Sequence, residues 1–373
     1  MDTAKDFEKA PPLPLELSKS VCIGLTEEVL ICGAISNPNC FSYSTRQQSY
    51  RFITTYPERI WRMRGHIVVK CKKLLSHECE IKKEEEEGEE EGEWLLLSFG
   101  GQANGNDSHT LWMRYESVWK EGKKKEGANK WKALMNGKTK QAIELSAYGS
   151  KARACVGGEQ GHLLFVIEQQ NIDILDLHTC QYVLKSSQLP HVFSSSLLMV
   201  PLTHKNIPVT NHFLVMEEEH SLLFKFDEVN ASIQWRTFKD DEKEDYENTH
   251  KIKTIKQESI QHENGHLQMD GDGNNDSGHF RRHFGYVCLF DHIITMGGVV
   301  DRHATNHVAV YSMATKQWTL QQLHLPVHVY ALTCVATSHH MSIHCFGGRN
   351  PIHQVQAYHF SIPTASILRF SRL

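Results

Sequence analysis

Residues 285–348 read GYVCLFDHIITMGGVVDRHATNHVAVYSMATKQWTLQQLHLPVHVYALTCVATSHHMSIHCFGG. Two short apolar runs in this stretch, HIITMGG and SIHCFGG, each end in a glycine pair. The pairs are Gly297-Gly298 and Gly347-Gly348, and 50 residues separate them. A β-rich unit that recurs at about 50 residues with paired glycines predicts a repeat architecture.

Similar units precede this stretch. A third glycine pair, Gly100-Gly101, ends the apolar run EWLLLSFGG. Large side chains also recur at a spacing of seven residues, which is typical of two strands joined by a short turn. These pairs are Tyr43 and Tyr50, Leu175 and Tyr182, and Tyr311 and Trp318. The pattern predicts six units of about four strands each. The sixth unit continues through QVQAYHF and ILRFSRL.

These residues resemble the kelch-repeat family. The resemblance implies an all-β kelch-type β-propeller with six four-stranded blades over residues 18–373, and a count of seven stays open. Residues 1–17 are predicted to be a flexible tail. The residues expected to hold the repeats together are Gly100, Gly101, Gly297, Gly298, Gly347, Gly348, Tyr311 and Trp318. Tyr311 and Trp318 are expected to pack between adjacent sheets.

Composition argues against several function classes. The net charge of −4 gives no general attraction to nucleic acid or to an anionic membrane. The ten cysteines include no CxxC pair, so neither a structural zinc site nor another metal or cofactor is expected. No apolar segment is long enough for a signal sequence or a membrane helix, which predicts a cytoplasmic protein.

Cysteine recurs on the predicted first strand of four units, as Cys22, Cys155, Cys288 and Cys334. Crowding around a propeller axis favours such small, weakly polar residues. The alternative is a ring of thiols that binds a soft metal in the central channel.

Two polar segments interrupt the repeats. Residues 79–93 include an acidic run, and residues 239–282 contain few apolar side chains. Both are predicted to be disordered insertions because such compositions cannot bury enough apolar surface. The alternative for the acidic run is a dock for a basic partner.

The predicted binding site is a set of arginines with one tryptophan. In kelch propellers, the loop after the second strand and the loop that enters the first strand share one face, which binds partners in many members. In this sequence, the resemblance places the following residues on that face: Trp61, Arg62, Arg64, Arg281, Arg282, Arg302 and Arg349. Convergent guanidinium groups suit a peptide that bears carboxylate or phosphate groups.

The function expected from this sequence is therefore non-catalytic. The resemblance implies a protein–protein interaction module that binds a peptide or protein on its loop face, as a scaffold or substrate receptor. Its partners would then be of the ubiquitin-ligase or cytoskeletal kind. The alternative is a kelch-like propeller enzyme of the oxidase or sugar epimerase type, although the sequence contains no complete catalytic set.

Overall fold

A computed structural model describes most of the chain. The described residues are 7–35, 37–60, 63, 65–71, 93–101, 109–122, 125–135, 141–143, 145, 148–149, 152–193, 197–217, 221–237, 282–337 and 341–368. Within them, no helix has the length and apolar character needed to cross a membrane.

Nearly all regular structure in the described residues is β-strand. The strands of the first half are β1 (Glu8–Lys9), β2 (Cys22–Gly24), β3 (Glu28–Ala34), β4 (Asn37–Ser44), β5 (Ser49–Thr55), β6 (His66–Cys71), β7 (Glu93–Gly100), β8 (His109–Glu116), β9 (Lys132–Ala133), β10 (Arg153–Gly157), β11 (Leu163–Glu168), β12 (Asn171–Asp176) and β13 (Gln181–Gln188). A 3₁₀ turn spans Glu58–Ile60.

The second half continues in the same way. Its elements are β14 (Leu198–His204), β15 (Ile207–Met216), β16 (Ser221–Asp227), β17 (Ser232–Thr237), β18 (Gly285–Leu289), β19 (His292–Met296), β20 (Val299–Val300), β21 (His303–Ala304), β22 (His307–Ser312), β23 (Gln317–His324), β24 (Thr333–Ala336), β25 (Ser342–Phe346), β26 (His359–Pro363) and the short helix α1 (Thr364–Ile367).

These strands form six four-stranded antiparallel sheets arranged as a six-bladed β-propeller, which confirms the predicted all-β propeller and its six blades. Blades 1 to 4 are β2–β5, β6–β9, β10–β13 and β14–β17 in consecutive order. Blade 5 is β18-β19-β22-β23, and β20 and β21 form a separate ribbon beside it. Blade 6 contains β24, β25, β26 and β1. The first strands of neighbouring blades contact one another around the axis, for example β2 with β6 and β24, and β10 with β6 and β14.

The side chains spaced by seven residues lie opposite each other on paired strands. Tyr311 pairs with Trp318 across β22 and β23, and their ring centroids are 5.1 Å apart. Tyr43 and Tyr50 pair in the same way in blade 1, with centroids 4.9 Å apart. The expectation that Trp318 packs between sheets is wrong. Tyr311 is buried, but Trp318 lies on the outermost strand and is 39% exposed.

The hydrophobic core lies mainly between neighbouring blades. Phe165 of blade 3 contacts Phe213 of blade 4 with ring centroids 4.6 Å apart, and Phe213 stacks on Phe224 at 4.9 Å. All three rings are buried. Each blade therefore stabilises the next, and no blade has a complete core alone.

The prediction of a flexible tail over residues 1–17 is wrong for its described part. Glu8 pairs with Ser361 and Lys9 with Phe360, so β1 is the fourth strand of blade 6. Phe7 is buried in the core between blades 5 and 6. The physical reason is ring closure, because a last blade without this strand would expose the edge of β26.

The end of the chain also differs from the prediction. The stretch ILRFSRL was expected to belong to the last blade's strands, but α1 occupies its first residue, Ile367. The outer strand of blade 6 comes from β1 instead. Residues 369–373 lie outside the described part of the chain.

The two predicted insertions, 79–93 and 239–282, lie almost entirely outside the described residues. At their ends, Glu93 is the first residue of β7, and Arg282 forms a β-bridge with Val299.

Two of the paired glycines lie where a neighbouring blade approaches. Gly297 and Gly347 both have φ near +62°, and a Cβ at Gly347 would lie 2.2 Å from the Leu17 carbonyl oxygen. At Gly297 the nearest atom would be the Val329 carbonyl oxygen, at 2.4 Å. A side chain at either position would combine backbone strain with a steric clash.

We expect Gly347→Ala to lower the free energy of unfolding by about 2–4 kcal/mol, because the Leu17 backbone must move. The measurement is urea unfolding followed by circular dichroism. Gly127→Ala is the matched control. Gly127 has φ +78°, but only the flexible end of the Lys132 side chain lies near it. If both variants lost the same free energy of unfolding, the Leu17 carbonyl oxygen beside Gly347 would not be the cause of the loss.

Candidate binding face at the channel mouth

Backbone pairing brings together the segments that enter the first strands and those that follow the second strands. In blade 5, the Arg282 amide donates to the Val299 carbonyl at 3.0 Å, and the Val299 amide donates back at 2.7 Å. In blade 6, Tyr330 and Arg349 exchange the same two bonds at 3.1 and 2.7 Å. We call this end of the propeller the mouth face.

A second set of backbone bonds joins adjacent blades around the axis. The Lys19 amide donates to the Ala331 carbonyl at 3.0 Å, and the Ala331 amide donates to the His283 carbonyl at 2.7 Å. Blades 1, 6 and 5 are therefore linked directly before their first strands. At this position Lys19, His283 and Ala331 have φ between 51° and 55°, and Gly65 of blade 2 has φ 72°. In these four blades, the left-handed residue lies just before the first strand.

Basic side chains from three alternate blades lie on this frame. Lys19 precedes the first strand of blade 1, Arg153 begins that of blade 3, and Arg282 with His283 precedes that of blade 5. Backbone carbonyls hold the Arg153 guanidinium, because its Nε donates to Leu197 at 2.9 Å and its Nη1 to Ala152 at 2.8 Å. The backbone thus fixes the positions in the fold from which these basic side chains extend.

The positive charges of these groups act on His283. Partial burial lowers the pKa of His283, and the positive charges of Lys19, Arg282 and Arg153 lower it further. Arg153 also acts on Tyr286, where burial raises the pKa and Arg153 opposes the rise. Charges from blades 1, 3 and 5 therefore act together at the mouth of the channel.

The structure places three of the predicted site residues. Arg282 lies at the mouth beside His283, and Arg302 is exposed in the turn between β20 and β21 of the same blade. Arg349 is on the mouth face, but its Nη1 donates to the His353 carbonyl at 2.8 Å, which holds it over its own loop. Trp61, Arg62, Arg64 and Arg281 lie outside the described residues.

Sequence reasoning missed Lys19, Arg153 and His283. Each lies just before a first strand or at its first residue, and the repeat alignment contained that information. The signal was weak because the three residues differ in type and are separated by more than a hundred residues along the chain.

The cysteines predicted for the first strands do lie there, in β2, β10, β18 and β24. Burial raises the pKa of Cys22, Cys155 and Cys288 to about 12, so these groups are thiols near neutral pH. A thiol is a poor nucleophile and a poor metal ligand compared with a thiolate. Among the residues that the structure describes, no three His, Cys, Asp or Glu side chains form a group able to hold a metal ion.

The fold defines the chain as a six-bladed β-propeller. No protein-family model matches the chain, and no curated protein matches it. Among solved structures, the chain is similar to the structure of YjhT, with a TM-score of 0.56 and 8% sequence identity. The similarity covers 94% of this chain and 95% of that one. At this identity it shows a shared fold alone.

Proposed function

We propose that the chain is a divergent kelch-type propeller and a non-catalytic protein–protein interaction module, which binds a peptide or protein on its mouth face. The observation that carries the proposal is the placement of Lys19, Arg153 and Arg282 on three alternate blades around one channel mouth. The glycine pairs at the ends of second strands and the opposed Tyr311 and Trp318 support the kelch assignment.

The rigidity of the frame supports a binding role. Hydrogen bonds between main-chain atoms fix the positions of Lys19, Ala331 and His283 relative to one another. A preformed surface loses little conformational entropy when a partner binds, and so binds more tightly than a mobile loop with the same side chains. Partners of the ubiquitin-ligase or cytoskeletal kind, which the kelch resemblance implies, stay a prediction.

The proposal that the module is not an enzyme draws support from the channel thiols. A nucleophilic cysteine requires a pKa lowered toward neutrality. Burial has the opposite effect on Cys22, Cys155 and Cys288. We therefore favour binding over covalent catalysis at the inner strands.

Site-specific photo-crosslinking tests the proposed function. A benzophenone amino acid replaces Arg302 on the mouth face or Arg46 on the opposite face, where both native residues are exposed. After irradiation in an extract of the expressing cells, we expect discrete protein adducts from position 302 and none from position 46. Adducts from position 46 alone, or from neither position, would count against a partner on the mouth face.

A further inference from the structure

We propose that the outer edge of blade 5 pairs with the same edge of a second copy of this chain. Strand β23 (Gln317–His324) of each copy would then join two blades into one continuous antiparallel sheet. The inference goes beyond the proposed function and does not depend on it, because β23 is the outermost strand of its blade and the mouth face is formed by loops.

The first argument is that β23 lacks the charges that protect the other outer strands. An edge strand exposes unpaired backbone groups, and proteins commonly guard such edges with charged side chains, lysine above all. β23 has no Lys, Arg, Asp or Glu, and the sequence contains none from Gln317 to Gly348. The other five outer strands that the structure describes all carry charges, namely Glu8 and Lys9 in β1, Arg51 in β5, Lys132 in β9, Lys185 in β13 and Arg236 in β17.

The second argument is the length and exposure of this edge. β23 has eight residues, and six of them are exposed. They include two large apolar side chains, because Leu320 is 60% exposed and Trp318 is 39% exposed. Within the described residues, β23 pairs with β22 and has no strand on its other side. A long, apolar and uncharged edge is the kind that pairs with a further strand.

The third argument is that the edge is complementary to itself. Its ladder with β22 is regular from Gln317 to Leu320, so Trp318 and Leu320 project from the same face of the sheet. An antiparallel pair about a two-fold axis at Thr319 places Trp318 of each copy opposite Leu320 of the other. Thr319 then lies opposite Thr319. Apolar pairs and Thr–Thr pairs in directly opposed positions stabilise antiparallel strands, and this uncharged strand brings no like charges together.

The fourth argument is that such an assembly closes at two copies. Among the outer strands in the described part of the chain, one is uncharged, so a two-fold contact uses that edge in both copies and leaves none for a third. Antiparallel strands run in opposite directions, so the two mouth faces point in opposite directions and stay accessible. One strand pair buries less than the roughly 1,200 Å² of a standard interface, so the dimer is weak and depends on concentration.

Disulfide trapping tests the position of the contact. In Thr319→Cys, the two-fold axis brings the introduced cysteines to a Cα separation of about 4.5–5.5 Å, which is within disulfide range. Oxidised glutathione should convert this variant to a covalent dimer on a non-reducing gel, with release of reduced glutathione. The control is Val183→Cys, at an exposed position of the outer strand β13. We expect no covalent dimer from the control or from the wild-type chain with its ten native cysteines.

Sedimentation velocity over a wide range of concentration measures the association without a cross-link. The wild-type chain should shift reversibly from monomer toward dimer as its concentration rises. Thr319→Lys should stay monomeric, because the two-fold axis places two lysines directly opposite each other. Val183→Lys should associate as the wild type does. Circular dichroism checks that each variant is folded, and Thr319→Cys keeps the test decisive if Thr319→Lys does not fold.

Several results would overturn the inference. They are a wild-type chain that stays monomeric while Thr319→Cys yields no covalent dimer, a dimer that persists in folded Thr319→Lys, and equal cross-linking of Thr319→Cys and Val183→Cys. If the chain does not self-associate but binds a labelled QWTLQQL peptide, the edge receives an extended segment of another protein and not a second copy. The adducts at position 302 test the mouth face separately, so either proposal can fail while the other stands.

Discussion

A chain that lacks residues 1–12 is expected to lose its closed, cooperative fold. The deletion removes β1, the fourth strand of blade 6, and with it the buried side chain of Phe7. Replacement of a buried phenylalanine by alanine alone typically costs about 3–5 kcal/mol. The lost strand pairing and the exposed edge of β26 add to this, and the total approaches the whole stability of many domains. The truncated chain should therefore aggregate or elute as an expanded species in size-exclusion chromatography.

Rescue in trans provides the control for this experiment. A synthetic peptide of residues 1–12 should restore a sharp urea transition to the truncated chain, whereas the same peptide with Phe7→Asp should not. A truncated chain with the wild-type elution volume and the wild-type urea midpoint would show that β1 is dispensable for closure.

The second large effect is a loss of stability in mild acid. It arises where blade 6 meets blade 1. The His344 Nδ1 and His359 Nε2 atoms are 3.0 Å apart. The His359 Nδ1 lies 2.7 Å from the Tyr50 hydroxyl and 3.2 Å from the Pro11 carbonyl. Both histidines are buried, and this hydrogen-bonded group joins β25, β26, β5 and the N-terminal segment.

Burial lowers the pKa of His344 to about 4. Burial, with the charge of His344, lowers that of His359 to about 3. Histidine in the unfolded chain titrates near 6.5, so the unfolded state takes up protons first as the pH falls. The stabilisation is complete above about pH 6.5 and decreases toward pH 4. A pKa held at about 4 against 6.5 corresponds to about 3 kcal/mol for His344 alone.

Urea unfolding at pH 7.5, 6.5, 5.5 and 4.5 measures this effect. Carboxylates also titrate in this range, so the decisive quantity is the difference in slope between variants. His359→Phe should flatten the fall in unfolding free energy between pH 6.5 and 4.5. His353→Gln, which changes an exposed histidine, should keep the wild-type slope. The same slope in all three proteins would refute the assignment to this buried pair.

Much of the fold could be predicted because its signals are local. Tyr311 and Trp318 lie seven residues apart because they face each other across one tight hairpin. The glycine pairs mark the places where an approaching carbonyl leaves no room for a side chain. The outer position of Trp318 was not predictable from spacing, since the spacing fixes the pairing of two strands and not their distance from the axis.

Strand pairings between residues far apart in the sequence could not be predicted from local patterns. Nothing in the sequence around Glu8 indicates that it pairs with Ser361. The candidate site has the same difficulty, because Lys19, Arg153 and Arg282 come from three blades and share one end of the channel only after the ring closes. Arg282 was found from its place before a predicted strand, whereas Lys19 and Arg153 were missed although the repeat alignment contained the same information for blades 1 and 3.

The pairing of β1 with β26 has a consequence for how the protein is made. During translation, Ser361 is synthesised 353 residues after Glu8, so β1 leaves the ribosome long before its partner strand β26. Blades 1 to 4 are each contiguous in sequence and can form during synthesis, but closure must wait until the C-terminal region is released. The nascent chain therefore carries an unpaired strand and an uncovered Phe7 for most of its synthesis. During this interval, a chaperone that covers them would protect the chain from aggregation.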